Sequence, residues 1–305
     1  MQAYSRKSIQ EPRVVIIIPN WNGLKLLKIA IPSIIKINYS NYKIIVVDNG
    51  SKDSSIEWIR NNYPDTKVIN CNKNLGFAGG CNVGIKYANN NYNPDYFLML
   101  NNDIKATPQF LKESIKLAEN NKNIGIVGSK VLNFNDNKIQ SLGYSITKSG
   151  KSIPNNKLNK KIDFVSGVAM LIKKTVIKNI GLFDEKYFMY LEDRDYCYRA
   201  KKGGYKIKIS SNSVIYHVSQ GSSKNNIDKK LALLRIVNRF RFVIKNYAFG
   251  EILSHFFKGE LVNIKEYISK RWLLNIIMYP LAIANVLIQL PCSIMFRLNN
   301  KKNGI

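Results

Sequence analysis

The chain has 305 residues, 45% of them hydrophobic, which excludes a broadly disordered protein. It carries 47 Lys and Arg against 20 Asp and Glu, and this net charge of +27 predicts a polyanionic partner such as nucleic acid, an anionic membrane face or a phosphorylated ligand. Two histidines and four cysteines without a CxxC pair argue against a Cys/His zinc site, and the cysteine pattern predicts a reducing, cytoplasmic setting.

Residues 1–12 are polar, so we expect an N-terminal tail without a cleavable signal peptide. After them, β-branched apolar runs alternate with helical patterns. The apolar runs predict strands at Val14–Ile18, Ile44–Val47, Lys67–Ile69, Tyr96–Leu100 and Ile124–Val127. The helical patterns cover Leu24–Ile37, Ser54–Asn61, Gly80–Ala88 and Pro108–Glu119. This alternation predicts an α/β fold with a mostly parallel sheet, whose ligands bind beyond the carboxyl ends of the strands.

Polar motifs follow the first two predicted strands. The segment Pro19-Asn20-Trp21-Asn22-Gly23 after the first strand is neither a dinucleotide-binding glycine motif nor a Walker loop. The second strand ends in Asp48, which could accept hydrogen bonds from a ribose or a base edge. Aspartate also caps helices, so a structural role is equally open at this position.

Two further motifs lie near the next strand ends. Residues 74–84 are rich in glycine and lead into a helix, where backbone amides could approach a phosphate or glycines could serve tight packing. The fourth strand runs into Asn101-Asn102-Asp103. The Asp103 carboxylate could bind a divalent metal on a diphosphate, and a turn-forming cluster is the alternative.

The most unusual feature is an acidic run in which five of the chain's 20 acids fall within twelve residues. They are Asp184, Glu185, Glu192, Asp193 and Asp195, and they alternate with aromatic residues. Apolar neighbours desolvate carboxylates and shift their pKa, so the run indicates general-base or metal chemistry. A helix is expected over Asp193–Lys202, in which Asp195 and Arg199 are four residues apart and can form an ion pair.

The last third of the chain is strongly basic. Residues 201–305 hold 18 Lys and Arg against 4 Asp and Glu. His217, after a predicted strand at Val214–Tyr216, could complete a metal site, although a lone histidine is more often structural. Amphipathic helical patterns occupy residues 227–270. The 25 uncharged residues Trp272–Phe296 are long enough to cross a bilayer or to lie in its plane, with a buried core helix as the alternative.

Taken in chain order, these motifs resemble the family 2 inverting glycosyltransferases, and most closely their rhamnosyltransferase-like branch, over about residues 13–245. The resemblance implies a GT-A fold for residues 13–226. Residues 227–305 then form a helical, basic and membrane-associating C-terminal region that contains the apolar segment 272–296.

The resemblance also implies roles for individual residues. The nucleotide-sugar site would comprise Pro19, Asn20, Asp48, Asn74, Gly76, Gly80, Asn82 and Asn102. Asp103 matches the retained acid of the family's D-x-D motif, whose first position is Asn101 here, and His217 resembles a further ligand for Mg²⁺ or Mn²⁺. Asp193 matches the general base of the family's E-D motif. Glu192, Asp195 and Arg199 would support the acceptor side.

The implied activity is the inverting transfer of a single hexose-type sugar from a nucleoside-diphosphate sugar to a saccharide hydroxyl, in surface glycan or glycoprotein glycan assembly. The Q-x-x-R-W motif of processive members is absent, because Ile268 stands at the glutamine position before Arg271-Trp272. We expect a lipid-linked acceptor, an anionic membrane surface as partner, no nucleic acid, and a location at the inner face of the cell membrane. The alternatives are a nucleic-acid-binding basic protein and an inactive transferase-like membrane scaffold.

Overall fold

The computed structural model describes residues 11–147, 150–158, 160–218, 229–247 and 250–252. Its strands are β1 (Val14–Asn20), β2 (Tyr42–Asp48), β3 (Lys67–Asn70), β4 (Tyr96–Leu100), β5 (Ile104–Ala106), β6 (Ile124–Asn133), β7 (Ile139–Ser141), β8 (Tyr144–Ile146), β9 (Ser152–Pro154), β10 (Ala169–Lys173) and β11 (Lys206–His217). Its helices are α1 (Leu24–Ile35), α2 (Ser55–Asn62), α3 (Gly76–Asn91), α4 (Phe110–Glu119), α5 (Lys174–Ile180), α6 (Glu192–Lys202) and α7 (Lys229–Asn246). A single 3₁₀ turn at Glu185–Tyr187 precedes α6.

The main sheet has the strand order β3-β2-β1-β4-β10-β6-β11-β5, with β7 paired to β6. Strands β1 to β4 are parallel to one another, and β11 is parallel to β6. Strand β10 lies between β4 and β6 and is antiparallel to both. The sheet is therefore mostly parallel, as the alternation of strands and helices predicts.

Helices cover both faces of the sheet because its central strands are apolar on both sides. In β1, alternate residues serve opposite faces: Ile16 belongs to the core that includes Leu27 of α1, and Ile17 to the core that includes Ile85 of α3. Every residue of β4 is buried. Burial on both faces explains why these strands read as continuous apolar runs rather than as an alternation of apolar and polar residues.

The predicted strands and helices occur with small changes of boundary, and the structure adds elements that the sequence pattern did not indicate. Helix α3 begins at Gly76 rather than Gly80, and the short strand β5 and helix α5 were not predicted. The polar region 135–161 contains the short strands β7, β8 and β9.

Two predictions about the C-terminal region fall on residues that the structure does not describe. They are the domain boundary after residue 226 and the apolar segment 272–296. Helix α7 occurs where a basic amphipathic helix was expected. None of the helices in the described part of the chain is long and apolar enough to span a bilayer.

Helix α3 packs closely against the sheet, and Gly84 is the point of closest approach to β1. A Cβ atom at Gly84 would lie 2.4 Å from Cγ2 of Ile17. We therefore expect Gly84→Ala to lower the free energy of unfolding by about 1–3 kcal/mol, as overpacking does in close-packed cores. Urea unfolding checks this, with Gly250→Ala as control because a Cβ there meets nothing within 4 Å. Equal stability of both variants would contradict the packing argument.

Candidate active site

Polar side chains from three neighbouring parallel strands meet where these strands end. Asn20, at the end of β1, donates from Nδ2 to Oδ1 of Asp48 at 3.1 Å. Its own Oδ1 accepts a hydrogen bond from Nδ2 of Asn102 at 2.8 Å. Asp48 also accepts from the backbone N–H of Ser51 at 2.8 Å, and both Asn20 and Asp48 are buried. The structure thus brings three of the predicted site residues together and places Asp48 beneath the loop that follows β2.

An exposed aromatic side chain stands beside this network. Trp21 directly follows buried Asn20, yet its side chain is 56% exposed, the largest exposed fraction among the large hydrophobic residues described. The next residue, Asn22, has a φ of 49° and donates its N–H to Oγ of Ser51 at 2.8 Å. The loop therefore fixes Trp21 at the carboxyl edge of the sheet. An exposed indole can stack on a flat ring.

The glycine-rich segment makes close contact with the acidic run. Oδ1 of Asn74 accepts the N–H of Gly76 at 2.9 Å. The N–H groups of Phe77 and Ala78, which begin α3, donate to the carbonyl of Phe188 at 2.7 and 3.3 Å. These amides bind a protein carbonyl, so in this structure they do not present free donors to a phosphate.

Two glycines of this segment are needed for close approach. A Cβ at Gly76, whose φ is 69°, would lie 2.3 Å from the carbonyl oxygen of Phe188. A Cβ at Gly80 would lie 3.1 Å from Cβ of Pro19, so α3 and the end of β1 touch at two of the predicted nucleotide-sugar residues. The packing role of the glycines is therefore visible in the geometry.

Asn82, another predicted nucleotide-sugar residue, holds the acidic run against α3. Its Nδ2 donates to the carbonyl of Phe183 and to Oε1 of Glu185, both at 2.9 Å. Its Oδ1 accepts the N–H of Phe183 at 3.0 Å. The buried amide uses both of its polar atoms within the protein, and the structure places it with the acidic run rather than with the Asn20 network.

Asp103 and His217 are 114 residues apart in sequence and adjacent in space. The pairing of β5 with β11 brings His217 opposite Ile104, and Nε2 of His217 lies 3.0 Å from Oδ2 of Asp103. Nδ1 of His217 lies 3.0 Å from Oε1 of Gln140. A glutamine oxygen can only accept a hydrogen bond, so it favours the tautomer in which Nδ1–H donates to it. The lone pair of Nε2 then faces Asp103.

This pair has the chemistry of a site for a hard divalent cation. Carboxylate and imidazole are suitable ligands for Mn²⁺, and carboxylate oxygen for Mg²⁺. Oδ1 of Asp103 is buried and has no hydrogen-bond partner within the described ranges, so one oxygen remains available. Groups of three or more His, Cys, Asp or Glu that could hold a metal do not occur among the described residues. Asp103 and His217 therefore fit a cation as a two-residue site.

The acidic run separates into groups with different environments. Asp193 is half-buried, and its carboxylate accepts the N–H of Gly167 at 3.1 Å and that of Arg194 at 2.7 Å. Burial raises the pKa of Asp193 despite these two hydrogen bonds. Burial, and then the charge of Asp193, raise the pKa of Glu192 well above its usual value, and Oε2 of Glu192 has no partner among the residues described. Of these two neighbours, Asp193 is therefore the carboxyl that ionises first.

Asp195 is a fully buried structural acid. It accepts hydrogen bonds from Nε of Arg199, Nζ of Lys245 and Nδ2 of Asn246, each at 2.9 Å. Burial alone would raise the pKa of Asp195, but the charges of Lys245 and Arg199 lower it to about 2. The predicted ion pair with Arg199 is present, and Lys245 also binds Asp184 at 2.9 Å.

One short segment joins Asp193 to the end of β4. The N–H of Gly167 donates to Asp193, and the carbonyl of the next residue, Val168, accepts the N–H of Asn101 at 3.1 Å. Asp193 and the Asn101–Asp103 turn are thus separated by two residues of this segment. No sequence pattern indicated Gly167, Gln140 or Lys245, because each reaches the site from a distant part of the chain.

Comparison with known proteins decides the family. The sequence profile of "Glycosyl transferase family 2" matches residues 15–181, more than half of the chain. The chain belongs to glycosyl transferase family 2. It is 28% identical over 170 residues to the low-salt glycan biosynthesis hexosyltransferase of Haloferax volcanii. The alignment covers 52% of this chain and 53% of that protein. The family 2 chain thus spans about half the length of this relative.

Solved structures agree with the fold of this family 2 chain. Staphylococcus aureus TarS 1–349 in complex with UDP-GlcNAc aligns with a TM-score of 0.64 at 17% identity, over 91% of this chain and 81% of that one. A mannosyltransferase from Pyrobaculum calidifontis in complex with GDP-Man and Mn²⁺ aligns with a TM-score of 0.59 at 14% identity, over 95% and 88% of the two chains. The predicted GT-A fold is confirmed.

Proposed function

We propose that this family 2 member transfers a single sugar from a nucleoside-diphosphate sugar to a hydroxyl of a saccharide acceptor, with inversion at the anomeric carbon. The observation that carries the proposal is the segment of Gly167 and Val168. It connects Asp193, the carboxyl suited to act as a base, to the turn that bears Asp103, the acid suited to the diphosphate side. The residues proposed for the two chemical roles of a transferase are therefore linked through two residues of one segment.

The acceptor hydroxyl must lose its proton as its oxygen bonds to the anomeric carbon. Asp193 takes this proton, while the bond from the anomeric carbon to the diphosphate oxygen breaks and that oxygen keeps the electron pair. General-base assistance contributes about 10²- to 10⁴-fold to such a step. Burial raises the pKa of Glu192 well above its usual value, which disfavours a second negative charge beside the base.

The donor side is formed by the network of Asn20, Asp48 and Asn102 and by the exposed indole of Trp21, which would stack on the nucleotide base. That Asp48 and Asn74 contact the nucleotide directly stays a prediction. Asp103 and His217 would hold Mg²⁺ or Mn²⁺, whose chemistry is to neutralise the charge that gathers on the leaving diphosphate. The mannosyltransferase with GDP-Man and Mn²⁺ supports this assignment by analogy of fold.

Donor binding with a divalent cation is the direct test of this proposal. The correct nucleotide-sugar should raise the melting temperature by several degrees with Mn²⁺ present and by less with EDTA, because ligand binding stabilises only the folded state. Asp103→Asn should abolish the metal-dependent part of the rise. Asp136→Asn is the control, since Asp136 is exposed and pairs only with Lys138 among the described residues. The same metal-dependent rise in the Asp103 variant would contradict the site.

The acceptor is proposed to be a lipid-linked saccharide at the inner face of the cell membrane. The support is the sequence: residues 201–305 are strongly basic and include the uncharged segment 272–296. Donors of the rhamnose type stay a prediction. Removing residues 253–305 should weaken transfer to an acceptor presented in anionic vesicles more than transfer to the same saccharide in solution. Equal loss on both acceptors would contradict membrane docking.

Family membership argues against the nucleic-acid-binding alternative. A turnover assay distinguishes the inactive scaffold from the proposed transferase. A scaffold would bind the donor but would not release nucleoside diphosphate when the acceptor is added. Release of nucleoside diphosphate that depends on both acceptor and Asp193 is the result that supports an active transferase.

A further inference from the structure

The segment before α6 has an unusual backbone conformation. Phe188 has φ 59° and ψ −64°, and the N–H of Met189 donates to the carbonyl of Tyr187 at 2.6 Å, which together define a γ-turn of the rare form. Tyr190 and Leu191 also have positive φ, at 71° and 67°. Three non-glycine residues in this region are held there only if their surroundings determine the conformation.

One side chain of α7 holds this segment. Nδ2 of Asn238 lies 2.8 Å from the carbonyl oxygen of Tyr187 and 2.9 Å from those of Met189 and Tyr190. Asn238 is fully buried, and its Oδ1 has no hydrogen-bond partner within the described ranges. Within the described structure, the amide therefore bonds through its nitrogen alone, which donates to three carbonyl oxygens of the same turn. An apolar residue would fill this place without leaving a buried oxygen unpaired.

The turn joins the two halves of the proposed reaction. On one side, the carbonyl of Phe188 binds the N–H groups that begin α3, the helix of the glycine-rich segment. On the other side, Leu191 caps α6, and Asp193 is the second residue of that helix. The direction in which α6 leaves the turn sets where the Asp193 carboxylate lies. The hydrogen bonds of Asn238 in the described structure go to the turn and not to Asp193, so we expect it to act on the reaction through the turn.

We propose that Asn238 is a positioning residue for sugar transfer. It holds the turn of residues 187–191 in the conformation that places the Asp193 carboxylate correctly relative to the bound donor. This rests on the proposed function. It adds that α7, from the basic C-terminal region, supports the geometry of the base, so that the transferase site is complete only with this helix packed against it.

The test is Asn238→Asp, which keeps the shape of the side chain and replaces the donor nitrogen by an oxygen that repels the three carbonyls. We expect kcat per donor-binding site to fall about 10- to 100-fold, since small displacements of reacting groups have effects of this size. The Kd of the donor should stay within about threefold of wild type, because the bonds from Phe77 and Ala78 to Phe188 remain. The acid limb of the kcat/KM profile should also shift.

Ile236→Ala is the matched control, because Ile236 is buried on the same helix two residues away and contributes packing alone. It should lower stability and leave kcat per donor-binding site unchanged. Asn238→Ser, which retains one donor, should give an intermediate kcat, and it replaces the aspartate variant if that protein fails to fold. A kcat per site within threefold of wild type in a folded Asn238 variant overturns the proposal. Failure of wild type to turn over any donor would instead contradict the proposed function.

Discussion

Replacing Asp193 by asparagine is expected to lower turnover by about 10²- to 10⁴-fold while the donor binds as in wild type. Asparagine keeps the shape of the side chain, but it cannot take a proton. The N–H groups of Gly167 and Arg194 bond to different oxygens of Asp193, so the one oxygen of asparagine retains only one of these two hydrogen bonds. Steady-state kinetics with a saturating donor, together with the thermal shift caused by that donor, check both halves of the expectation.

The pH dependence gives an independent reading of the same base. Burial raises the pKa of Asp193, and only its ionised form accepts a proton, so the rate should rise with pH along a limb that lies above the range of an ordinary aspartate. This limb should be absent from the Asp193→Asn variant. Asp184→Asn is the control from the same acidic run, because Asp184 contacts Lys245 rather than the Gly167 segment. Near-normal turnover by folded Asp193→Asn would show that another group is the base.

The part of the site that could be predicted from the sequence lies at the ends of parallel strands. Asn20, Asp48 and Asn102 follow three apolar runs, and parallel strands bring their carboxyl ends to one edge. The direction of β10 could not be read in this way. Its apolar residues fit a buried strand of either direction, and only the path of the chain through the preceding hairpins makes it antiparallel.

The residues that hold the site residues in place could not be predicted, because they act through contacts between segments that are distant in sequence. Gln140 reaches His217 across 77 residues, and Lys245 reaches Asp195 across 50. Neither residue belongs to a local pattern, and a Lys or Gln on its own is most often a solvated surface residue. The acidic run was recognised as unusual, but only the structure shows that the environments of its carboxyls differ, with Asp195 held by Lys245 and Arg199.

Replacing Asp195 by asparagine is expected to destabilise the fold by about 3–5 kcal/mol, because it removes the buried negative charge that faces Lys245 and Arg199. The pH dependence has a definite sign. The folded pKa of Asp195, about 2, lies below the usual value near 3.9, so its contribution is fully present above about pH 5. That contribution is lost as pH falls toward 2. Urea unfolding of wild type and variant at a series of pH values measures the difference.

A control variant distinguishes the stability effect of losing a buried ion pair from that of losing any carboxylate. Asp136→Asn makes the same chemical change in an exposed pair with Lys138, and its unfolding should stay close to that of wild type at every pH because solvent screens an exposed pair. For Asp195→Asn the gap from wild type should be widest near neutral pH and should narrow in acid. A gap that stays constant down to pH 2 would mean that the lost contacts are hydrogen bonds rather than charge pairs. The interaction of α7 with α6 would then depend on Asn246 and packing instead of on Lys245.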